Sequence, residues 1–281
     1  MASAECKNFE NIAWFGGSFS PPTNMHINVV IEIAKALSTK PGKSCVCIIP
    51  VSRAYDKASV RLPCVSPDER MALCLAFLEA VEEIWASNEG NPNIKFRLLD
   101  YEFVSPTAVT TIESLDILTK TLGCDPGKIY LAQGQDNVMN IFAGKWKRSL
   151  DLLNYKFIMF PRGQTTSQLD FRSQMDEALK IPLGKPLDET RRKEIIDNVV
   201  IIGADFNDNT SSSIVRHNIQ NKKPFQELLH PRVFDVLMDL MEKRPEIYQS
   251  CDDTHTGGKA RRARKSRRNS KRRKTRKSKK Y

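Results

Sequence analysis

The sequence predicts an α/β fold: a Rossmann-like parallel sheet with helices on both faces, followed by a disordered basic C-terminal tail. Short apolar, β-branched runs alternate with stretches whose apolar residues recur three and four apart, and strands spaced by helices pair in parallel. Gly/Pro turns follow the first run and break the chain between elements. The crowding of Lys and Arg after Lys259 predicts the tail.

Ile12–Phe15 reads as a strand, and His26–Leu37 as the helix that follows its Gly/Pro turn. Cys45–Pro50 is a second strand, Pro67–Ile84 a helix, Ile94–Leu99 a strand and Ile112–Thr121 a helix. Ile129–Ala132 is a strand, Asn137–Phe142 a short helix, and Tyr155–Phe160 and Val199–Ile202 are strands. Helices near Ser213–Ile219 and Pro231–Met241 end the body, and segment 164–198 reads as an inserted helical excursion. The sequence shows no internal repeat. Sheets of this kind bind ligands at the carboxyl ends of the strands, where the strand order reverses.

With 281 residues, 40% of them hydrophobic, the chain can bury one large core. Without an apolar run of about 18 residues, no membrane span is expected. The opening residues, MASAECKNFENIAWF, do not read as a secretory signal. Cys6, Cys45, Cys47, Cys64, Cys74, Cys124 and Cys251 are odd in number and scattered. That pattern argues against a disulfide framework and a zinc site, and predicts reduced thiols in an intracellular protein. The net charge of +11 conceals a division. Residues 259–281 hold 15 of the 44 Lys and Arg and no acid, which leaves the body 29 bases against 33 acids, a net of −4. The expected division is a catalytic domain over 1–250 and a tail over 251–281.

Between the first strand and the first helix lies Gly16-Gly17-Ser18-Phe19-Ser20-Pro21-Pro22-Thr23-Asn24-Met25-His26. Glycines let a backbone approach a ligand, and free amides at a helix start favour an anion. Thr23 and His26 lie three apart, so both can face one phosphate, and an imidazole can donate to it as charge develops. A structural turn with a helix-facing histidine is the plainer alternative. Near the other end, Thr210-Ser211-Ser212-Ser213-Ile214-Val215-Arg216 brings hydroxyls and an arginine to a helix start. These residues suit phosphate oxygens, although an ordinary serine cap would look the same.

The first of these segments resembles the nucleotidyltransferase superfamily, and its Thr-Asn-Met-His resembles the eukaryotic-type nicotinamide mononucleotide adenylyltransferases. Relative to the superfamily, Thr23 stands for a histidine and Met25 for a glycine, as in that subgroup. The second segment resembles the superfamily's Ile-Ser-Ser-Thr-x-x-Arg, with Thr210 for Ile and Ser213 for Thr. Ala54-Tyr55-Asp56-Lys57 resembles a loop whose lysine reaches phosphate; a solvated surface lysine is the alternative. Gly134-Gln135-Asp136 resembles the Gly-x-Asp that holds the ATP ribose, and Asp136 could equally cap a helix. Lys145-Trp146-Lys147 resembles a segment whose indole stacks on the pyridine, a role that suits a flat cationic ring. A core tryptophan is the alternative. Phe160-Pro161-Arg162-Gly163 resembles a strand end near the adenine. The likeness spans residues 10–245. It departs at Val109-Thr110-Thr111-Ile112-Glu113-Ser114, where the family's aromatic ring partner is missing.

The resemblance implies adenylyl transfer from ATP to nicotinamide or nicotinate mononucleotide, with release of pyrophosphate. It implies His26 and Arg216 as catalytic residues. Gly17, Ser18, Phe19, Thr23, Lys57, Gly134, Asp136, Ser211, Ser212 and Ser213 would bind ATP and phosphate, and Thr111 and Trp146 the pyridine. Mg²⁺ would bridge the phosphates with few protein ligands. Alternatives are another member of the superfamily, or a nucleic-acid-binding protein acting through its tail. The tail suits a nuclear address read by an import receptor, or salt-sensitive binding to nucleic acid. The expected location is nucleus or cytoplasm, with the nucleus favoured by the tail; a homo-oligomer is compatible with the sequence, which does not set the oligomeric state.

Overall fold

The computed structural model describes residues 8–54, 58–60, 64–88, 91–121, 123–161, 168–180, 186–203, 210–249 and 251. Six parallel strands form its sheet: β1 (Asn11–Gly17), β2 (Ser44–Pro50), β3 (Ile94–Leu98), β4 (Ile129–Gly134), β5 (Lys156–Phe160) and β6 (Val199–Ile201). Their order is β3-β2-β1-β4-β5-β6. β1 pairs with β2 from Asn11↔Ser44 to Gly17↔Pro50, and with β4 from Ile12↔Ile129 to Phe15↔Ala132. The strands are parallel, as the alternating pattern predicts, and their order reverses between β1 and β4. A crevice opens beyond their carboxyl ends, Gly17 and Gly134.

Strand periodicity divides the interior in two. Ala13 and Phe15 of β1 face one core, and Ile12 and Trp14 face the other. The first core is closed by α1 (Asn24–Ser38), α2 (Pro67–Asn88), α8 (Ser212–Gln220) and α9 (Pro231–Lys243). The second is closed by α3 (Thr111–Asp116), α4 (Gln135–Phe142), α5 (Ser149–Leu152), α6 (Gln168–Leu179) and α7 (Glu189–Asp197). Helices thus lie on both faces. Each large apolar side chain buried this way contributes about 1.5–3 kcal/mol before the cost of ordering it.

Differences from the sequence expectation have local causes. α2 runs four residues past Ile84, because Trp85 is buried and its ring meets Phe96 at 5.9 Å. The helix expected over 112–121 divides into α3 and a wider π turn, Ile117–Thr121, which keeps Leu118 buried. Segment 164–198 contributes α6 and α7, which dock Phe171, Met175 and Ile195 into the second core.

The cysteines require a correction. The sequence predicts reduced thiols throughout, but Cys64 and Cys251 form a disulfide across 187 residues of chain. No local spacing announces a pair that only the fold brings together. The backbone around it is tied in as well. Tyr248 donates its N–H to Cys64 O at 2.9 Å, and Gln220 Nε2 donates to Cys251 O at 2.9 Å. Cys251, expected as the start of the tail, is buried in the first core. Cys45, Cys47, Cys74 and Cys124 are buried.

Candidate active site

The crevice beyond β1 and β4 deepens into a cavity of about 550 Å³. Seven of the residues singled out by sequence line it together: Gly17, Ser18, His26, Thr111, Gly134, Asp136 and Trp146. Phe19, Thr23, Ser211, Ser212, Ser213 and Arg216 stand outside that lining. Lys57 lies outside the described residues, as do Tyr55, Asp56, Arg162 and Gly163.

α1 starts at the cavity mouth. Thr23 is its N-cap, with extended backbone at φ −126° and ψ 170°. The Thr23 backbone N–H donates to His26 Nδ1 at 3.1 Å, and Thr23 Oγ1 lies 2.8 Å from the same nitrogen. An accepting Nδ1 carries no proton, so the neutral ring keeps its proton on Nε2. The ring is held edge-on by Phe19 at 5.3 Å and Phe77 at 6.4 Å. His26 is thereby oriented as a donor at the start of a helix, where the dipole also favours an anion.

Phe19 turns its side chain into the core. Its side chain is fully buried, so only its backbone can serve an anion. Its φ of +44° is a left-handed conformation that a non-glycine residue adopts at a cost, offset here by packing against Phe15 and Phe77. The same packing explains the two glycines. A side chain on Gly16 would collide with the Trp14 indole, and a Cβ on Gly17 would lie 2.7 Å from the Phe19 ring.

α8 braces the first motif from behind. Ser211 caps the helix, its Oγ accepting the Ile214 N–H at 3.3 Å. Ser212 Oγ donates to Pro21 O at 2.7 Å. Arg216 is buried, with Nη1 donating to Ser20 O at 2.6 Å and Nη2 to Ser213 Oγ at 3.0 Å. Tyr248 OH lies 3.0 Å from Ser20 Oγ. Part of the second motif therefore positions the backbone of the first.

The opposite wall is formed by the start of α3 and the loop after α4. Thr110 donates to Glu113 Oε2 from its N–H at 2.9 Å and from its hydroxyl at 2.7 Å. Lys147 Nζ donates to Glu113 Oε1 at 2.6 Å, linking the two segments. The Lys147 hydrogen bond, followed by those from Thr110, lowers the Glu113 carboxyl to about 2. Trp146 is half-buried, packing against the second core while lining the cavity. Asp136 is exposed in the first turn of α4, and the cap of that helix is Gly134. Its carboxylate is thus not engaged as the cap.

Several lining residues escape sequence reasoning. Trp14 brings an aromatic ring to the cavity that holds Thr111 and Trp146, although the segment before α3 supplies none, and Phe160, from the segment expected near the adenine, lines the same cavity. Trp14 Nε1 donates to Ser114 Oγ at 2.9 Å, and Tyr101 OH lies 2.9 Å from the same oxygen. Beside this network sits Glu102, only 2% exposed. Burial raises its carboxyl to about 7, against the opposing effect of hydrogen bonding with Ser114. The one signal in the sequence was an acid between Tyr101 and Phe103, which looks like any surface glutamate.

Residues 14–218 match the cytidylyltransferase-like family, and the chain belongs to it. One relative is the probable nicotinate-nucleotide adenylyltransferase of Clostridium acetobutylicum, 24% identical over 237 residues, spanning 80% of this chain and 94% of that protein. Among solved structures, the Plasmodium falciparum nicotinic acid mononucleotide adenylyltransferase complexed with APC is similar in fold. It aligns at TM-score 0.51 and 19% identity, over 82% of this chain and 95% of the other.

Proposed function

We propose that this chain transfers the adenylyl group of ATP to a pyridine mononucleotide, forming NAD or deamido-NAD and pyrophosphate. The observation that carries the reading is His26, held as an Nε2–H donor at the start of α1 in the cavity beyond β1 and β4. The relative in Clostridium acetobutylicum supports it across most of the chain. In this reaction the 5′-phosphate oxygen of the mononucleotide attacks the α-phosphorus of ATP, and the bond from that phosphorus to the bridging α,β oxygen breaks. The nucleophile is already an anion, so positioning and charge neutralisation dominate. His26 donates to an α-phosphate oxygen as charge builds. Arg216, Ser212 and Ser213 hold the loop that presents it, Asp136 accepts from the ribose hydroxyls, and Trp146 with Thr111 takes the pyridine. Mg²⁺ enters with ATP, on phosphate oxygens and water.

The test is incubation of purified protein with MgATP and each mononucleotide, with chromatographic detection of the dinucleotide and pyrophosphate. Product from either acceptor is expected; none from both, alongside product from another phosphate acceptor, would overturn the reading. The tail over 259–281, with its 15 Lys and Arg, is proposed as a nuclear address. Removing it should abolish nuclear accumulation of a tagged protein; unchanged accumulation would refute the assignment.

A further inference from the structure

We propose that Glu102 selects the substituent on the acceptor ring, favouring a carboxamide over a carboxylate. This inference rests on the pyridine mononucleotide reading above.

Three observations carry it. Glu102 lines the same cavity as Thr110, Thr111 and Trp146, at the end assigned to the ring. It is 2% exposed, so whatever meets it there meets it away from bulk water. Its Oε1 is buried without a hydrogen-bond partner. A buried acceptor of this kind is costly unless something donates to it. The neighbouring polar groups are engaged with each other: Trp14 Nε1 donates to Ser114 Oγ, which also pairs with the Tyr101 hydroxyl. The unmet acceptor is therefore specific to the Glu102 carboxyl.

The chemistry of the two acceptors differs at one group. The carboxamide presents two N–H donors and no charge, so one can meet Oε1. The carboxylate presents only acceptors and a negative charge, which repels Glu102 in its ionised form, the form that prevails above about pH 7. The ring itself is a cation in both compounds. With a carboxamide its net charge is positive and complements Glu102; with a carboxylate the ring is neutral overall. Both effects point the same way. Such a mismatch of charge and donors at a buried site separates substrates strongly.

The experiment measures kcat/KM for nicotinamide and nicotinate mononucleotide at saturating MgATP and at about pH 8.5, where a carboxyl raised to about 7 is ionised, with wild type, Glu102→Gln and Glu102→Met. Wild type should prefer the nicotinamide compound by about tenfold or more. Glu102→Gln keeps the shape and offers both a donor and an acceptor, so the preference should collapse through a lower KM for the nicotinate compound. Glu102→Met offers neither, so the preference should collapse through a higher KM for the nicotinamide compound. A variant that merely loosened the fold would worsen both acceptors alike and leave their ratio in place, which would overturn the assignment. A wild-type preference for nicotinate would overturn it without any variant. Absence of dinucleotide from both acceptors would overturn the parent reading and this inference together, whereas dinucleotide formed without discrimination overturns this inference alone.

Discussion

At the α1 and α8 end of the cavity, polar side chains hold one another. Thr23 orients His26, Ser212 and Arg216 grip the backbone of Ser20 and Pro21, and Tyr248 meets Ser20 from below. At the α3 end, Trp146 is half-buried, and the buried Glu102 Oε1 has no hydrogen-bond partner among the described residues. The end proposed for phosphate is organised in advance by its own hydrogen bonds, whereas the end proposed for the ring leaves the Glu102 Oε1 for a ligand. Catalysis by charge stabilisation gains from fixed donors, because they need not reorganise as the reaction proceeds. Discrimination gains from a group whose cost is relieved only by the right partner. Changes at the first end should therefore act on turnover, and changes at the second on affinity and acceptor choice.

The largest expected effect is at His26. His26→Ala removes the donor that faces the α-phosphate, and turnover should fall by about 10²–10³ with little change in either KM. Steady-state kinetics of the purified variant, with circular dichroism to verify the fold, provide the check. A variant whose KM for ATP rises while kcat holds would make His26 a ground-state binder and blur the comparison.

Arg216 comes next and tests whether one motif acts through the other. Arg216→Met removes the donors on Ser20 O and Ser213 Oγ at the same time. Leaving a buried carbonyl without its donor costs about 1–3 kcal/mol, so the melting temperature should fall together with kcat. If kcat drops while the melting temperature is unchanged, arginine acts on the substrate rather than on the loop.

What could be read from the sequence follows the same division. The phosphate end lies in two short contiguous segments, 16–26 and 210–216, so its residues appear as spaced motifs beside the helices they cap. The strands were equally legible, because a strand buried on both faces, as β1 is, reads as a continuous apolar run whose alternate residues enter opposite cores. The ring end draws single residues from β1, the turn after β3, the start of α3 and the loop after α4. No local spacing ties Trp14 or Glu102 to Trp146, since only the strand order brings them together. The Cys64–Cys251 pair was hidden for the same reason. Phe19 is the opposite case: inside a recognisable motif its side chain serves the core, which leaves its backbone for an anion.

Trp146 tests the ring end directly. Its indole both packs on the second core and lines the cavity. Loss of a stacking face over a cationic ring costs about 1–2 kcal/mol, so Trp146→Ala should raise the mononucleotide KM by about tenfold. The KM for ATP should stay within about twofold on the same reasoning. Equal increases in both constants, with a lower melting temperature, would place the side chain in the core alone.

The smallest expected effect is at Lys147, and it asks whether the ring-end wall is binding machinery or only a wall. Its ion pair with Glu113 is close, at 2.6 Å, but the two side chains are 58% and 43% exposed. Water screens such a pair, and its worth is no more than about 0.5 kcal/mol. The pH dependence has a definite sign. Glu113 is held near 2 in the folded protein against 4.5 for the free group. Its ionised form is therefore favoured by folding, and the contribution is full above pH 4.5 and lost as pH falls through about 2. Lys147→Ala should lower the melting temperature slightly at pH 7, and by less at pH 3. Its acceptor KM should rise far less than that of Trp146→Ala, because Lys147 donates to Glu113 across the wall instead of to the ring. If the two variants raise the acceptor KM equally, the lysine reaches the acceptor itself, and the ring end is more fully charged than Glu102 alone makes it.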